Sequence, residues 1–371
     1  MNSNKKEPKR KIVVLTITEQ CNLNCIYCFE KAKTSKTMSL DVAKAAVEHE
    51  FKNSDLFDEL EFDLFGGEPT LCKAVIQELV EWTEARDFCK PYLFFIETNG
   101  TLVHGEFQEW LVRHKRHVYA GLSLDGTPTT HNRNRSNSYD KIDIPFFATN
   151  YPNQSVRMTV FSETIRSLAA DVIHLHKLGF SDVVATFAHG ITWNKDDVRT
   201  VLPEELHKLC AYYLEHPEVT ECSIFDMHLP AILQENGPTM KWCGTGTNMI
   251  SYDPDGTSYP CHTFQSNTTS PGKAVKCGQI DFEAMSDFRD PECAHCVLEP
   301  ICPNCYGMNY VKNGDILKRD RGLCDVVKVQ SMAVSYLRAK QIEAGVKRMS
   351  PNETYNTIAA IKVIQGAGIT V

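Results

Sequence analysis

From Ile12 to about Pro217 the chain alternates short β-rich runs with amphipathic helical runs, and this alternation constrains the fold more than any other feature. IVVLTIT is followed by SLDVAKAAVEHEF, ELEFDLF by LCKAVIQELVEWTEA, and YLFFIET by GEFQEWLVRH. VYAGLSL, VRMTV with SETIRSLAADVIHLHKLG, and DVVATFA with a helix from Pro203 to Glu215 continue the series. Strands separated by helices pair in parallel through crossovers, so these six predict an α/β fold with an open or closed barrel. One helix is expected to be missing, because KIDIPFFATNYPNQ carries Pro145 and Pro152 and little helical period.

Beyond residue 235 the character changes. Asn236, Gly237, Pro238, Pro254, Gly256, Pro260 and Pro271 break the sequence into turns, and no apolar run is long enough for an independent core. Such a segment needs staples, and 8 of the 15 cysteines lie between Cys243 and Cys324. A helical pattern returns at Asp325 and ends in a short tail of no clear character. Three regions are therefore expected: a barrel over 1–235, a cysteine-stapled segment over 236–330, and a helical segment with its tail over 331–371.

No stretch reads as a signal peptide or approaches a membrane span, so a cytoplasmic protein without a membrane partner is expected. Thiols stay reduced there, and the cysteines point to metal or redox chemistry rather than to disulfides. Cys72, Cys89, Cys210 and Cys222 stand apart in apolar or helical surroundings and are expected to pack as core thiols. The net charge of −8 argues against a nucleic-acid partner.

Cys21, Cys25 and Cys28 follow the first strand as CxxxCxxC, at the rim where βα loops converge. Three such thiolates can hold three irons of a [4Fe–4S] cluster and leave the fourth open. Zinc is the alternative, but it needs a fourth ligand, and no His or Cys follows closely enough within the loop. Further motifs sit at successive strand ends: Gly66, Gly67, Glu68 and Pro69 (GGEP), then Thr98, Asn99 and Gly100 (TNG). Next come Ser123, Leu124, Asp125 and Gly126 (SLDG) with His131 and Arg135, and finally Arg157 and Thr159 in VRMTV.

The string CNLNCIYCFE, with Tyr27 before the last cysteine, resembles the radical S-adenosylmethionine superfamily, as does the order of the later motifs. Asn132 stands where the family usually has Asp, and Thr127 with Pro128 where it has Pro. The resemblance implies a partial (β/α)6 TIM-like barrel, with a [4Fe–4S] cluster on Cys21, Cys25 and Cys28 that binds S-adenosylmethionine. Gly66, Gly67, Glu68 and Pro69 would then lie at the cofactor's amino group, and Ser123 and Arg135 at its carboxylate or ribose. Tyr27, Thr98, Asn99, Asp125 and Arg157 complete the implied cofactor site. One-electron cleavage would yield a 5′-deoxyadenosyl radical that takes hydrogen from an unactivated carbon.

The later cysteines are spaced as Cys243, twelve residues, Gly256, four residues, Cys261, and then Cys293, Cys296, Cys302, Cys305 and Cys324. On spacing alone a pair of zinc ribbons is an alternative. The pattern is similar to the SPASM domain, except that two residues rather than three separate Cys302 from Cys305. That resemblance implies two auxiliary [4Fe–4S] clusters, one on Cys243, Cys261 and Cys305, the other on Cys293, Cys296, Cys302 and Cys324. Cys277 is then either the missing ligand of the first auxiliary cluster or a packed thiol that leaves an iron open to substrate.

Relatives with a SPASM domain mostly modify peptides or proteins. YPCHTFQSN is similar to the corresponding string of maturases that install thioether or carbon-centred crosslinks in ribosomally made peptides. The alternative is an anaerobic sulfatase maturase, which oxidises Cys or Ser to formylglycine; His262 stands where those enzymes have a basic Asp, and an imidazole can serve as that base. A third reading is a non-catalytic zinc-binding α/β protein. The resemblance also implies a peptide or protein substrate and a reductase, flavodoxin or ferredoxin as electron donor. With the barrel starting near residue 11, any leader peptide is expected to be caught by a separate protein, by the barrel mouth or by the SPASM face.

Overall fold

The computed structural model describes residues 8–234, 241–270, 272–346, 349–369 and 371. In chain order the elements begin with β1 (Arg10–Thr18), α1 (Leu40–Lys52), β2 (Glu59–Gly66), α2 (Lys73–Glu84), β3 (Tyr92–Thr98), α3 (Glu106–Arg113) and β4 (Val118–Leu122). They continue with α4 (Pro128–Asn134), α5 (Ile144–Asn150), β5 (Val156–Val160), α6 (Leu168–Lys177), β6 (Val183–Phe187) and α7 (Lys195–Glu215). The last are β7 (Met249–Tyr252), β8 (Ser258–Tyr259), α8 (Ser266–Thr269), α9 (Tyr306–Asn313), α10 (Cys324–Ala344) and α11 (Pro351–Gly366).

The chain divides into two compact units. The first comprises 1–123, 135–151 and 244–284, and the second 124–134, 152–243 and 285–371. A six-stranded sheet runs through the first unit in the order β4-β3-β2-β1-β7-β8, parallel except where β8 turns back on β7. Leu15, Leu64, Ile96 and Ala120 face one another along the register and are all buried. Val13, Val14, Leu15 and Ile17 are buried on both faces of β1, as a central parallel strand requires. In the second unit β5 and β6 pair in parallel, and α7 packs on α10.

All six expected strands form. Four expectations need correction. Ile144–Asn150 is a helix, because Pro145 falls in its first turn, where no N–H is needed, and Asp143 caps the Phe146 N–H. The tail contains α11, opened by a capping box between Ser350 and Glu353 and presenting Ala360, Ile361 and Ile364 as its buried stripe. α7 starts at Lys195, capped by Asn194, so Pro203 lies inside the helix rather than at its start. Among the isolated thiols Cys210 and Cys222 are buried, but Cys89 is exposed. The boundary expected at 235/236 lies outside the described residues.

Candidate functional site

β1 delivers the chain directly into the CxxxCxxC loop, and the backbone just ahead of Cys21 is strapped to the GGEP motif. The Gly67 N–H donates to Thr18 O at 2.9 Å and the Glu68 N–H to Gln20 O at 2.8 Å. A Cβ on Gly66 would stand 2.0 Å from Thr18 O, and one on Gly67 2.1 Å from Gln20 O. The two glycines therefore make room first for the neighbouring chain; Gly66 also adopts a φ of +129°. Further along, Asn99 donates to the Asn22 side chain at 2.9 Å, and the Asn22 amide to Thr101 Oγ1 at 2.8 Å. The Asn24 N–H donates to Ser136 Oγ at 2.9 Å, and the Cys28 N–H closes the turn onto Cys25 O at 3.1 Å.

Glu68 joins the ends of β2 and β3. Its carboxylate is 1 % exposed and accepts from the Thr70 N–H and hydroxyl, the Thr98 hydroxyl and the Asn99 N–H. Burial raises its pKa, and these donors work against that. Three of these donors reach Oε1 and only the Asn99 N–H reaches Oε2, so Oε2 keeps a lone pair. Glu68 thereby holds the ends of β2 and β3 together.

The Cys21 thiol is pushed up by burial, opposed by the Leu23 N–H and the Lys33 ammonium. Burial works against the charge on Lys33, but the Cys28 and Cys21 thiols and Glu30 outweigh it and raise its pKa. Lys33 is thus the local cation that favours thiolates in this loop. Glu30 is pushed up to about 7 by burial, with Lys33 and Asn267 opposing. The Arg135 guanidinium lies 5.4 Å from the centre of the Tyr27 ring. The His262 ring sits 4.7 Å from Phe65 and 5.7 Å from Phe29, so that it flanks the cysteine loop. Ser123 donates its N–H to Thr98 O at 2.9 Å.

The remaining sequence-predicted cofactor residues, Asp125 and Arg157, lie in the second unit. Buried Asp125 accepts from the Asn134 amide at 3.0 Å and the Thr159 N–H at 3.2 Å, and its N–H donates to His131 Nδ1 at 3.2 Å. The Leu124 N–H donates to Arg157 O, so SLDG, the following helix and VRMTV come together. Asp171 completes that corner by accepting from the Thr127 N–H and the hydroxyls of Thr127 and Thr130. Nothing in the sequence marks Asp171, whose partners Thr127 and Thr130 are distant in the chain, or Lys33, which itself lies outside the motifs.

Cys293, Cys296, Cys302 and Cys324 line one cavity of about 80 Å3 in the second unit, together with Arg319 and His189. Burial raises the thiols of Cys293, Cys302 and Cys324, Cys302 to about 11, while neighbouring cations pull the other way: Arg319 at Cys302, Arg321 and Arg319 at Cys293, and Arg321 and Lys328 at Cys324. Arg319 donates to Cys302 O at 3.0 Å and to Glu299 at 2.9 Å. Asp290 accepts from the Arg319 N–H and from Arg321. The other cysteines divide between the units, with Cys243 and Cys305 in the second and Cys261 and Cys277 in the first. Cys277 is exposed, and its thiol interacts with Ser258, Glu50 and Lys11. Among the described residues no three Cys, His, Asp or Glu converge on a single-ion position. A [4Fe–4S] cluster does not ask for such convergence, since each thiolate takes a different iron.

Residues 15–143, which span the cysteine loop and the GGEP, TNG and SLDG motifs, match the Radical SAM superfamily. The chain carries a radical SAM domain. Over 260 residues, 67 % of this chain and 54 % of the relative, it is 27 % identical to the antilisterial bacteriocin subtilosin biosynthesis protein AlbA of Bacillus subtilis. It is also 27 % identical over 137 residues to a cysteine-type anaerobic sulfatase-maturating enzyme of Clostridium perfringens, over 34 % of this chain and 36 % of that one. The chain spans only 39 % and 30 % of the length of two further curated relatives. Its fold matches native anSMEcpe with bound AdoMet and Cp18Cys peptide at a TM-score of 0.69 and 19 % identity, over 91 % of this chain and 100 % of that one. No helix among the described residues is long and apolar enough to cross a membrane.

Three thiols on one strapped loop beside a lysine suit a radical SAM cluster with an open iron. The four-cysteine cavity, framed by arginines, suits a fully ligated second cluster in the same way.

Proposed function

We propose that this radical SAM chain is an enzyme that modifies a peptide or protein, with crosslinking of a ribosomally made peptide as the favoured reaction. The observation that carries the proposal is the strapped loop of Cys21, Cys25 and Cys28 beside Glu68, Tyr27 and Arg135. These cysteines would hold the [4Fe–4S] cluster and its S-adenosylmethionine. When bound, that pair supplies hydrogen-atom abstraction from an unactivated carbon on one-electron reduction. The chain's own share is placement: Glu68 fixes two strand ends, Arg135 rests on Tyr27, and Asp125 fixes the SLDG corner.

His262, whose ring lies 4.7 Å from Phe65 and 5.7 Å from Phe29, would take a proton from substrate at its imidazole. In the second reading, formylglycine formation, it would stand in for the Asp base of sulfatase maturases. Cys293, Cys296, Cys302 and Cys324 would hold one auxiliary cluster, and Cys243, Cys261 and Cys305 the other. Cys277, which is exposed, would either complete that second set or stay a thiol and leave one of its irons for substrate. A reductase, flavodoxin or ferredoxin would supply electrons.

The test is anaerobic reconstitution followed by turnover. About twelve irons with matching sulfide are expected; about two metal ions and no sulfide would sink the proposal. 5′-Deoxyadenosine should form with a cysteine-containing precursor peptide, whose product is about two mass units lighter for each crosslink that removes two hydrogens. Turnover confined to a sulfatase-derived peptide would favour the second reading.

A further inference from the structure

The turn that follows α4 carries two consecutive residues in the left-handed region, Ser136 at a φ of +57° and Asn137 at +52°. L side chains reach that region at a cost, and a chain that needs it usually supplies glycine. The turn is nonetheless well held. Ser138 is fully buried, and its hydroxyl donates to Arg135 O at 2.6 Å. The Lys141 N–H donates in turn to Ser138 O at 3.1 Å. A glycine at 136 would ease the backbone and remove the one thing that serine adds there, a hydroxyl.

That hydroxyl is in use. Ser136 Oγ accepts from the Asn24 N–H at 2.9 Å, across 112 residues of chain, and Arg135 places its guanidinium 5.4 Å from the centre of the Tyr27 ring. The turn therefore meets the cysteine loop at two points. The TNG motif grips the same loop at Asn22, whose side chain accepts from the Asn99 amide at 2.9 Å and donates to Thr101 Oγ1 at 2.8 Å. Leu23 is thus pinned on either side, and its own N–H donates to Cys21 Sγ at 3.5 Å. With the peptide group after Leu23 held by Ser136 and the side chain before it held by TNG, this N–H has little freedom to turn away from the sulfur.

We infer that Ser136 is a positioning residue for the radical cluster: by holding the Asn24 N–H it keeps the Leu23 N–H on the Cys21 sulfur, and so helps to set how readily that cluster accepts an electron. That the three thiols hold the cluster rests on the function proposed above; the clamp itself rests on the turn and the loop. A hydrogen bond to a cluster sulfur favours the reduced, more electron-rich form and raises the reduction potential. Loosening it makes the reduced state, which cleaves S-adenosylmethionine, harder to reach.

The test compares Ser136→Gly with Asn137→Gly in the full-length, reconstituted protein. Both changes put glycine at a positive φ, so both should fold with denaturation midpoints no lower than that of the unaltered chain. Only the first removes the acceptor for Asn24. Hydrogen exchange, read by mass spectrometry on a peptide containing residues 22–25, should be about fivefold faster in Ser136→Gly, the scale of one hydrogen bond, and unchanged in Asn137→Gly. In a redox titration followed by EPR, the signal that shifts on adding S-adenosylmethionine reports this cluster. At the midpoint of the unaltered protein its reduced-to-oxidised ratio should fall about threefold in Ser136→Gly and stay near one in Asn137→Gly. Unchanged exchange or an unchanged ratio in Ser136→Gly would overturn the inference. So would an equal effect of Asn137→Gly, or a denaturation midpoint lowered in Ser136→Gly alone, the mark of a purely structural role. An exchange difference with no signal that responds to S-adenosylmethionine in any sample defeats the proposed cluster and leaves the clamp standing; a responsive signal with no difference between the variants defeats the clamp alone.

Discussion

The two best-defined cysteine groups are built on opposite principles. Cys21, Cys25 and Cys28 sit on a loop whose entry is fixed by backbone hydrogen bonds to the end of the neighbouring strand. Cys293, Cys296 and Cys302 lie on turns and Cys324 opens α10, away from any described strand, in a frame held by Arg319, Arg321, Asp290 and Glu299. The first group borrows the rigidity of a sheet, whereas the second is framed by buried charge and needs its staple. A loop of the first kind can keep its shape without metal, and one of the second kind depends on every ion pair.

Four expected outcomes test that contrast, from the largest effect to the smallest. Cys25→Ala should abolish 5′-deoxyadenosine formation and lower iron by about four per chain, the content of one cluster; retained cleavage would break the assignment. Gly67→Ala should have nearly the same effect on cleavage, because its Cβ falls 2.1 Å from Gln20 O, yet circular dichroism should show the helices and strands retained. Arg319→Met should spare the radical cluster but leave Glu299 buried without its partner. Breaking a buried pair costs about 3–5 kcal/mol, to be read as a lower denaturation midpoint and loss of about four irons.

The smallest effect concerns pH. Glu30 titrates at about 7 in the folded chain because burial disfavours its charge. A carboxyl raised in this way stabilises the fold below its ordinary value and loses that contribution as pH climbs towards 7. The metal-free chain should therefore lose stability between about pH 4.5 and 7 relative to Glu30→Gln, which keeps an acceptor for Asn267 but does not titrate. Parallel midpoints for the two proteins across that window would count against the buried carboxyl.

Much of the first unit could be read from the sequence, because its information is local. Strand periodicity located β1 to β4 there, as it did β5 and β6 in the second unit, and the motif residues are the ones found at the strand ends. What escaped was long-range. β7 and β8 join the sheet beside β1 although about 230 residues separate them from it, and no local pattern carries that pairing. Gly66 and Gly67 looked like room for a ligand, and only the position of Thr18 and Gln20 shows that a second stretch of backbone fills the space. Pro145 looked like a helix breaker because its place in the first turn depends on Asp143 as cap. Ser136 gave no signal, since a positive φ and a partner 112 residues away are visible only in the fold.

The glycine strap also sets an order of events. Residues 18 to 28 leave the ribosome well before residues 66 to 68, so the cysteines emerge as a nascent segment with no fixed shape. Their loop can be moulded only after β2 has been made and laid beside β1. Iron delivered before that moment meets three thiols on an unstructured chain, and iron delivered afterwards meets a finished socket. The three thiols therefore reach the arrangement seen in the fold only once the first βαβ unit is complete.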